Sequence, residues 1–490
     1  MTFGHYLRLP DAAKIARSCS GIQTQLMNVS MKKNLLLTCC LLAAGFVYAQ
    51  DSLNMIRLAR WDDDSLPLAY SYDLQYSGCW GLALNGREYA VLGGAAHVLF
   101  FDITDPVHPE LIGKFAGTTN NTLWREFKSY KNRIYASSDN TNEGLMIFDM
   151  TNAPDTVVRT YWSNEFFSSA HTITLDTVSG RIYLNGTNTA HEGLLVLDVS
   201  QDPDQPVLLA NTVLAGGYIH DSYVRNDTIY ASSGFDGFYV FDFTDPLHPD
   251  TLGQIATGGY NHNSWLNPEG THAYYTEEIP DGQPIRIIDL QQMGTNGLEV
   301  AGAFLDSFLT GSQIKPIPHN VYIKDHLLFD SQYEDGLLVY DITIPTQPVL
   351  VAHYDTHPEN TQYNRYYGNW GNYPWLPSGT IIAGDMQNGL QLLKLTTPVN
   401  THTPESGTLQ ADIFPNPAAD QITVRLQEIS TDWYYRIINP NGQVVISGQV
   451  KDGAGQQKIS LKQLNAGLYF IEIQTDKGEM AVRKVVRQTN

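Results

Sequence analysis

Four histidines, His171, His220, His262 and His319, lie 49, 42 and 57 residues apart, and each opens a short strand-like stretch. Neutral imidazoles are the commonest protein ligands for zinc, copper and nickel. Brought together, the four would offer a divalent metal several nitrogen lone pairs. Asp221 or Glu126 could add a carboxylate or act as a base. Trp80, Arg125 and Trp370 hold the same position in neighbouring stretches, and the residues that follow are Gly81, Glu126, Thr172, Asp221, Asn263, Asn320 and Gly371. The candidate ligand-binding set is therefore Trp80, Arg125, Glu126, His171, His220, Asp221, His262, His319 and Trp370, with the four histidines as candidate metal ligands. A packing role competes with this reading. Each histidine could instead hydrogen-bond its neighbour and satisfy an otherwise buried polar atom. A seven-fold spacing could also hold the imidazoles too far apart for a zinc site of three or four converging ligands.

A second group is the loop Tyr363–Trp375, with Tyr366, Tyr367, Trp370, Tyr373 and Trp375 beside Asn364, Asn369 and Asn372. Exposed aromatic rings next to amides suit carbohydrate or peptide faces; the same rings, buried, would cap a core. The chain has no GxSxG elbow, HExxH zincin motif, Walker loop or EF-hand. No catalytic residue is named by a motif.

These residues need a frame, and repeats supply it. The stretch around His220–Gly253 reads as four short strands, Ile219–Val224, Thr228–Ser232, Phe238–Phe243 and Thr251–Ile255. Asp245-Pro246 breaks the ladder, because proline lacks the N–H that a central strand must donate. The third strand is apolar on both faces, as expected where neighbouring sheets cover it. It recurs as His97–Ile103, Gly144–Met150, Gly193–Val199, Gly237–Phe243, Pro284–Leu290, Gly336–Ile342 and Gly389–Leu395. Asp102, Asp149, Asp198, Asp242, Asp289 and Asp341 mark six copies, at separations of 47, 49, 44, 47 and 52 residues. Four strands in each period of about 40–50 residues is the signature of propeller blades. Helical solenoids would need a 3.6-residue periodicity that is absent.

The seventh copy runs after Leu395 into TTPVNTHTPESG and lacks a fourth strand. Leu58–Asp62 matches Val351–Asp355, the fourth strand of the sixth unit, and can supply it. Pairing the two ends of the chain removes two exposed sheet edges. The expected fold is all-β: a seven-bladed β-propeller over residues 51–398, closed by an N-terminal strand, and a small C-terminal Ig-like β-sandwich. First strands of propeller blades line the central channel, so the histidine set should ring one mouth.

Residues 1–30 carry neither a strand pattern nor a convincing helix, and are expected to be an extension from a mis-assigned start. Met31 opens a secretory signal peptide, residues 31–50, with Lys32 and Lys33, an apolar run from Leu35 to Val47 and a small-residue cleavage site. The run is too short for a membrane span. Of four cysteines only Cys79 follows it, so no internal disulfide can form. Residues 51–404 hold 41 acidic and 16 basic side chains, an imbalance that repels nucleic acid and anionic membrane. A linker at 399–411 leads to a domain at 412–490 with alternating strand patterns and a turn at Asn441-Gly442.

Two resemblances rest on these residues. The tail opens on Phe414-Pro415-Asn416-Pro417-Ala418, carries Ala466-Gly467-Leu468-Tyr469 and closes on Arg483-Lys484-Val485-Val486. It resembles the type A sorting domain of the type IX secretion system. The resemblance implies passage across the outer membrane of a Gram-negative bacterium by way of the periplasm, with the secretion machinery as partner. It also implies cleavage of the tail, often with attachment of the cargo to surface polysaccharide. The repeats, with Trp124–Lys128, Pro318–Tyr322 and Trp370–Gly379, resemble the choice-of-anchor B family of LVIVD-repeat propellers. That resemblance implies a propeller exposed outside the cell and brings no catalytic residues. The expected product is a monomeric, secreted or surface-displayed propeller that binds an extracellular protein or glycan at the channel mouth. A metal-dependent hydrolase or lyase using the histidine ring, and a purely structural surface protein, stand as the other two classes.

Overall fold

The computed structural model describes residues 52–69, 74–291, 293, 297–309, 313–396, 409, 411–416, 418–426, 431–438, 444–451, 453–465, 467–476 and 480–488. The expected N-terminal extension, the signal peptide, nearly all of the linker and the Asn441-Gly442 turn lie outside them.

Leucine, valine, isoleucine and phenylalanine fill the repeated third strands, and both of their faces are buried. Leu194, Leu195, Val196 and Leu197 are all essentially inaccessible. Each such strand is the third of a small antiparallel meander. In the fourth unit the order is Asp221–Arg225, Thr228–Ser232, Phe238–Asp242, Asp250–Ile255. Seven sheets of this kind follow one another between Met55 and Leu395, and the sixth gains an extra edge strand, Ser52–Leu53. The chain is all-β, and such sheets are consistent with propeller blades. Their first strands touch in sequence order, and Asn369–Tyr373 returns to touch Tyr76–Leu84.

The repeat residues have local causes. In six units the aspartate ending the third strand accepts the backbone N–H two residues on, as Asp102 does from Thr104 at 2.9 Å and Asp341 from Thr343 at 2.8 Å. That is an Asx turn, and it reverses the chain into the fourth strand. Gly336, just before a third strand, and Gly389, the first residue of another, adopt φ of 81° and 74°. A Cβ there would lie 2.2 Å from the Tyr354 carbonyl oxygen and 2.4 Å from that of Trp61. Only glycine fits.

The seventh sheet is completed by Met55–Trp61, which pairs with Gly389–Leu395 and sets Trp61 opposite Leu390. Tyr354 faces Leu337 in the same register one sheet earlier. Aromatic and aliphatic side chains fill the spaces between sheets, as where Phe100 meets Phe148 at 4.9 Å. Polar pins reinforce them. Arg125, fully buried, forms an ion pair with buried Glu143 and donates to the Gly94 carbonyl at 3.0 Å, tying the first sheet to the second.

The C-terminal region forms two further antiparallel sheets, Ala411–Phe414/Gln421–Leu426/Gln456–Ser460 and Val444–Val450/Trp433–Ile438/Gly467–Thr475/Met480–Arg487. One core lies between them, containing Val424, Trp433, Ile459, Ile471 and Val485. Asn416 joins the domain's first and last segments. Its amide donates to the Lys484 carbonyl at 2.6 Å, and its carbonyl accepts from the Val486 N–H at 2.8 Å.

Candidate functional site: an imidazole row in the central channel

His171, His220 and His319 each stand immediately before a first strand, and His262 lies within one. Their rings stack in succession, with centroids 4.2 Å apart for His171 and His220, 4.3 Å for His220 and His262, and 4.1 Å for His262 and His319. Trp370 continues the row at 4.3 Å from His319, and Trp124 stacks on Trp370 at 4.7 Å.

A hydrogen-bond relay fixes the row. Nδ1 of His220 donates to the His262 carbonyl at 2.9 Å, Nδ1 of His262 to the His319 carbonyl at 3.1 Å, and Nδ1 of His319 to the Trp370 carbonyl at 2.6 Å. A carbonyl can only accept, so each of these Nδ1 atoms carries the proton and each Nε2 is left as a lone pair. Burial, followed by the neighbouring imidazoles, holds His220 and His262 well below the ordinary imidazole range. Burial lowers His319 to about 3. His171 differs. Burial pulls it down too, but the Asp139 carboxylate, 2.8 Å from its Nδ1, outweighs this and raises it.

Below the row the channel holds buried Glu126 and half-buried Asp221. Glu126 accepts from Trp370 Nε1 at 3.0 Å, and Asp221 from Asn263 Nδ2 at 2.7 Å and Thr172 Oγ1 at 3.0 Å. Burial raises both, against the opposing pull of Lys128. A cavity of about 10 Å³ touches Glu126, His171, Asp221, His262 and His319, room for one water molecule or ion. Farther along, a cavity of about 70 Å³ meets a cluster of Trp80, Tyr223, Trp265 and Tyr322. There Lys128 Nζ sits 4.2 Å from the centre of the Trp80 ring.

Two members of the candidate set stand apart from the row. Trp80 belongs to the aromatic cluster, 4.9 Å from Tyr373 and 5.6 Å from Trp375. A β-bulge between Tyr76 and Cys79 shifts the register of its strand, which no residue count reveals, and Trp124 takes the end of the row. Arg125 turns away from the channel into its ion pair with Glu143. The four histidines also do not converge as one ligand set. Among the described residues, the metal-compatible group is His262, His319 and Glu278, whose ligand atoms lie within 4.8 Å of one another. In the aromatic loop Tyr363 and Trp370 are buried, and Tyr366, Tyr367, Tyr373 and Trp375 are half-buried, Tyr373 and Trp375 against the Trp80 cluster and Tyr366 against Tyr333.

Sequence reading passed over Glu278 and Asp139. Both directly follow a second strand, at a position that Gly186, Ser233, Gln332 and Met386 hold in other units. Aligning the second strands as well as the first would have exposed this column.

Above the row, half-buried Tyr218 and Tyr260 lie 6.4 and 5.1 Å from the His220 ring. Phe235, 69% exposed, packs edge-on to Tyr260 at 5.0 Å. Exposed Phe235 and half-buried Tyr218 and Tyr260 thus form an aromatic edge over a row in which His220, His262 and His319 are neutral.

Residues 412–488 match the family described as secretion system C-terminal sorting domain. No curated protein matches the chain. The tail marks the protein for export through type IX secretion to the cell surface or extracellular space, and for contact with that machinery on the way. No helix among the described residues is long and apolar enough to cross a membrane.

Proposed function

We propose that the exported protein is a seven-bladed propeller of the choice-of-anchor B type, with an Ig-like sorting tail, that binds an extracellular protein or glycan at the mouth above the imidazole row. The observation that carries this reading is the aromatic rim over a polar floor. Phe235, Tyr260 and Tyr218 offer ring faces, and the row beneath offers fixed nitrogens, uncharged at His220, His262 and His319. Ring faces with a few oriented polar groups suit sugar and peptide surfaces. The cavities beneath, about 10 and 70 Å³, are too small for a sugar unit or side chain, so a ligand of this kind rests on the mouth. The same narrowness weighs against the hydrolase or lyase alternative, which needs substrate beside the imidazoles. Arrays of glycans and extracellular proteins probed with the full chain test the reading. Reproducible binding to a related set of glycans or proteins is expected, and absence of any saturable binding would favour a purely structural surface protein.

A further inference from the structure

We propose that His262, His319 and Glu278 bind one divalent transition metal of the zinc class in the channel. Nε2 of His319 is fully buried and has no hydrogen-bond partner, and the bond from Nδ1 to the Trp370 carbonyl leaves that Nε2 as a bare lone pair. A buried acceptor without a donor is destabilising unless something electropositive meets it. His262 is locked in the same tautomer by the His319 carbonyl, and Glu278 brings a carboxylate. Two lone pairs and a carboxylate within 4.8 Å of one another are what a cation requires.

The supporting shell matches that of metal sites. Ligating histidines almost always give their other N–H to a carbonyl or carboxylate, and ligating carboxylates are themselves hydrogen-bonded. Both features are in place, for the Tyr333 hydroxyl donates to Glu278 Oε1 at 2.8 Å. Two imidazoles and a carboxylate form a ligand set known from open zinc sites, in which a fourth position stays free for water or another ligand. Imidazole nitrogen selects zinc, copper or nickel over magnesium or calcium. The ligand atoms span up to 4.8 Å. Tetrahedral zinc wants them about 3.3 Å apart, so binding requires the three groups to draw together. This site does not depend on what binds at the mouth. Metal without glycan or protein binding, and the reverse, are both distinguishable outcomes.

The test is titration of the chelator-stripped full chain with zinc alone, followed by calorimetry, and with cobalt(II), followed by visible absorption. One zinc per chain at micromolar concentration is expected, with cobalt d–d bands of the intensity of a four-coordinate site. Tyr333→Phe should weaken zinc about tenfold or more, and Glu278→Gln should weaken it further. Circular dichroism checks that each variant is folded. The proposal is overturned if the folded parent binds neither metal at up to millimolar concentration. It is equally overturned if Glu278→Gln binds zinc as the parent does. Should the variants fail to fold, absent cobalt bands in the parent chain decide against it alone.

Discussion

His171 is the one member of its row whose Nδ1 meets a carboxylate instead of a carbonyl. Its raised affinity for a proton stabilises the fold fully below about pH 6.5, the ordinary imidazole value, and that contribution fades as pH rises through the folded pKa. Asp139 is held below its usual range: burial raises it, but the bond and charge of His171 prevail. Its share is present above about pH 3.9 and is lost as pH falls through its folded value. The pair is therefore most stabilising between those two limits. Replacing Asp139→Asn leaves burial as the main influence on His171. Its imidazole midpoint, read by NMR, should move from above the ordinary value to below it. A midpoint that stays raised would mean that another group, such as Glu278, holds the proton there. The histidine column was legible because the repeats count it out in turns and strands. Trp80 and Arg125 fall outside the row because a bulge and a buried ion pair leave no trace in residue spacing.

Between elements, Arg125–Glu143 is a polar joint with both side chains fully buried. Removing one partner strands a buried charge. Glu143→Gln should cost about 3–5 kcal/mol of unfolding free energy, measured by denaturant titration, and a cost below 1 kcal/mol would show that solvent reaches the arginine. Strand Met55–Trp61 closes the seventh sheet by pairing over its whole length with Gly389–Leu395. Deleting residues 52–61 bares both that edge and the apolar faces of Leu390, Leu392 and Leu393. Aggregation or a large fall in melting temperature is expected, and an unchanged melting curve would contradict the pairing. This strand could be read from the sequence because Leu58–Asp62 repeats the fourth-strand pattern of the sixth unit. Third strands were legible through apolar runs and their terminal aspartates. First-strand bulges and the acidic residues after second strands were not, because they obey no apolar period.

For the whole molecule, the sorting tail assigns destination, and the channel mouth is where we place its work. Asn416 clasps the last strand of the tail through two hydrogen bonds, so Asn416→Ala should loosen the domain and lower the secreted fraction. Deleting residues 407–490 should leave folded protein in the periplasm, as cell fractionation would show; normal amounts outside the cell would refute the tail's role. Its motifs were readable in full because they are local in sequence, whereas the mouth is assembled from loops of many repeats. The measurement that bears most directly on the account compares the two ends of the channel on one bound ligand. Phe235→Ala with Tyr260→Ala strips the rim above the histidines, and Val178→Asp marks the opposite end, where Val178 is 90% exposed. The account predicts that the rim double variant weakens binding about tenfold to a hundredfold, as expected for the loss of two aromatic anchors, while Val178→Asp leaves it unchanged. Binding kept by the rim variant and lost on Val178→Asp would place the functional face at the other end.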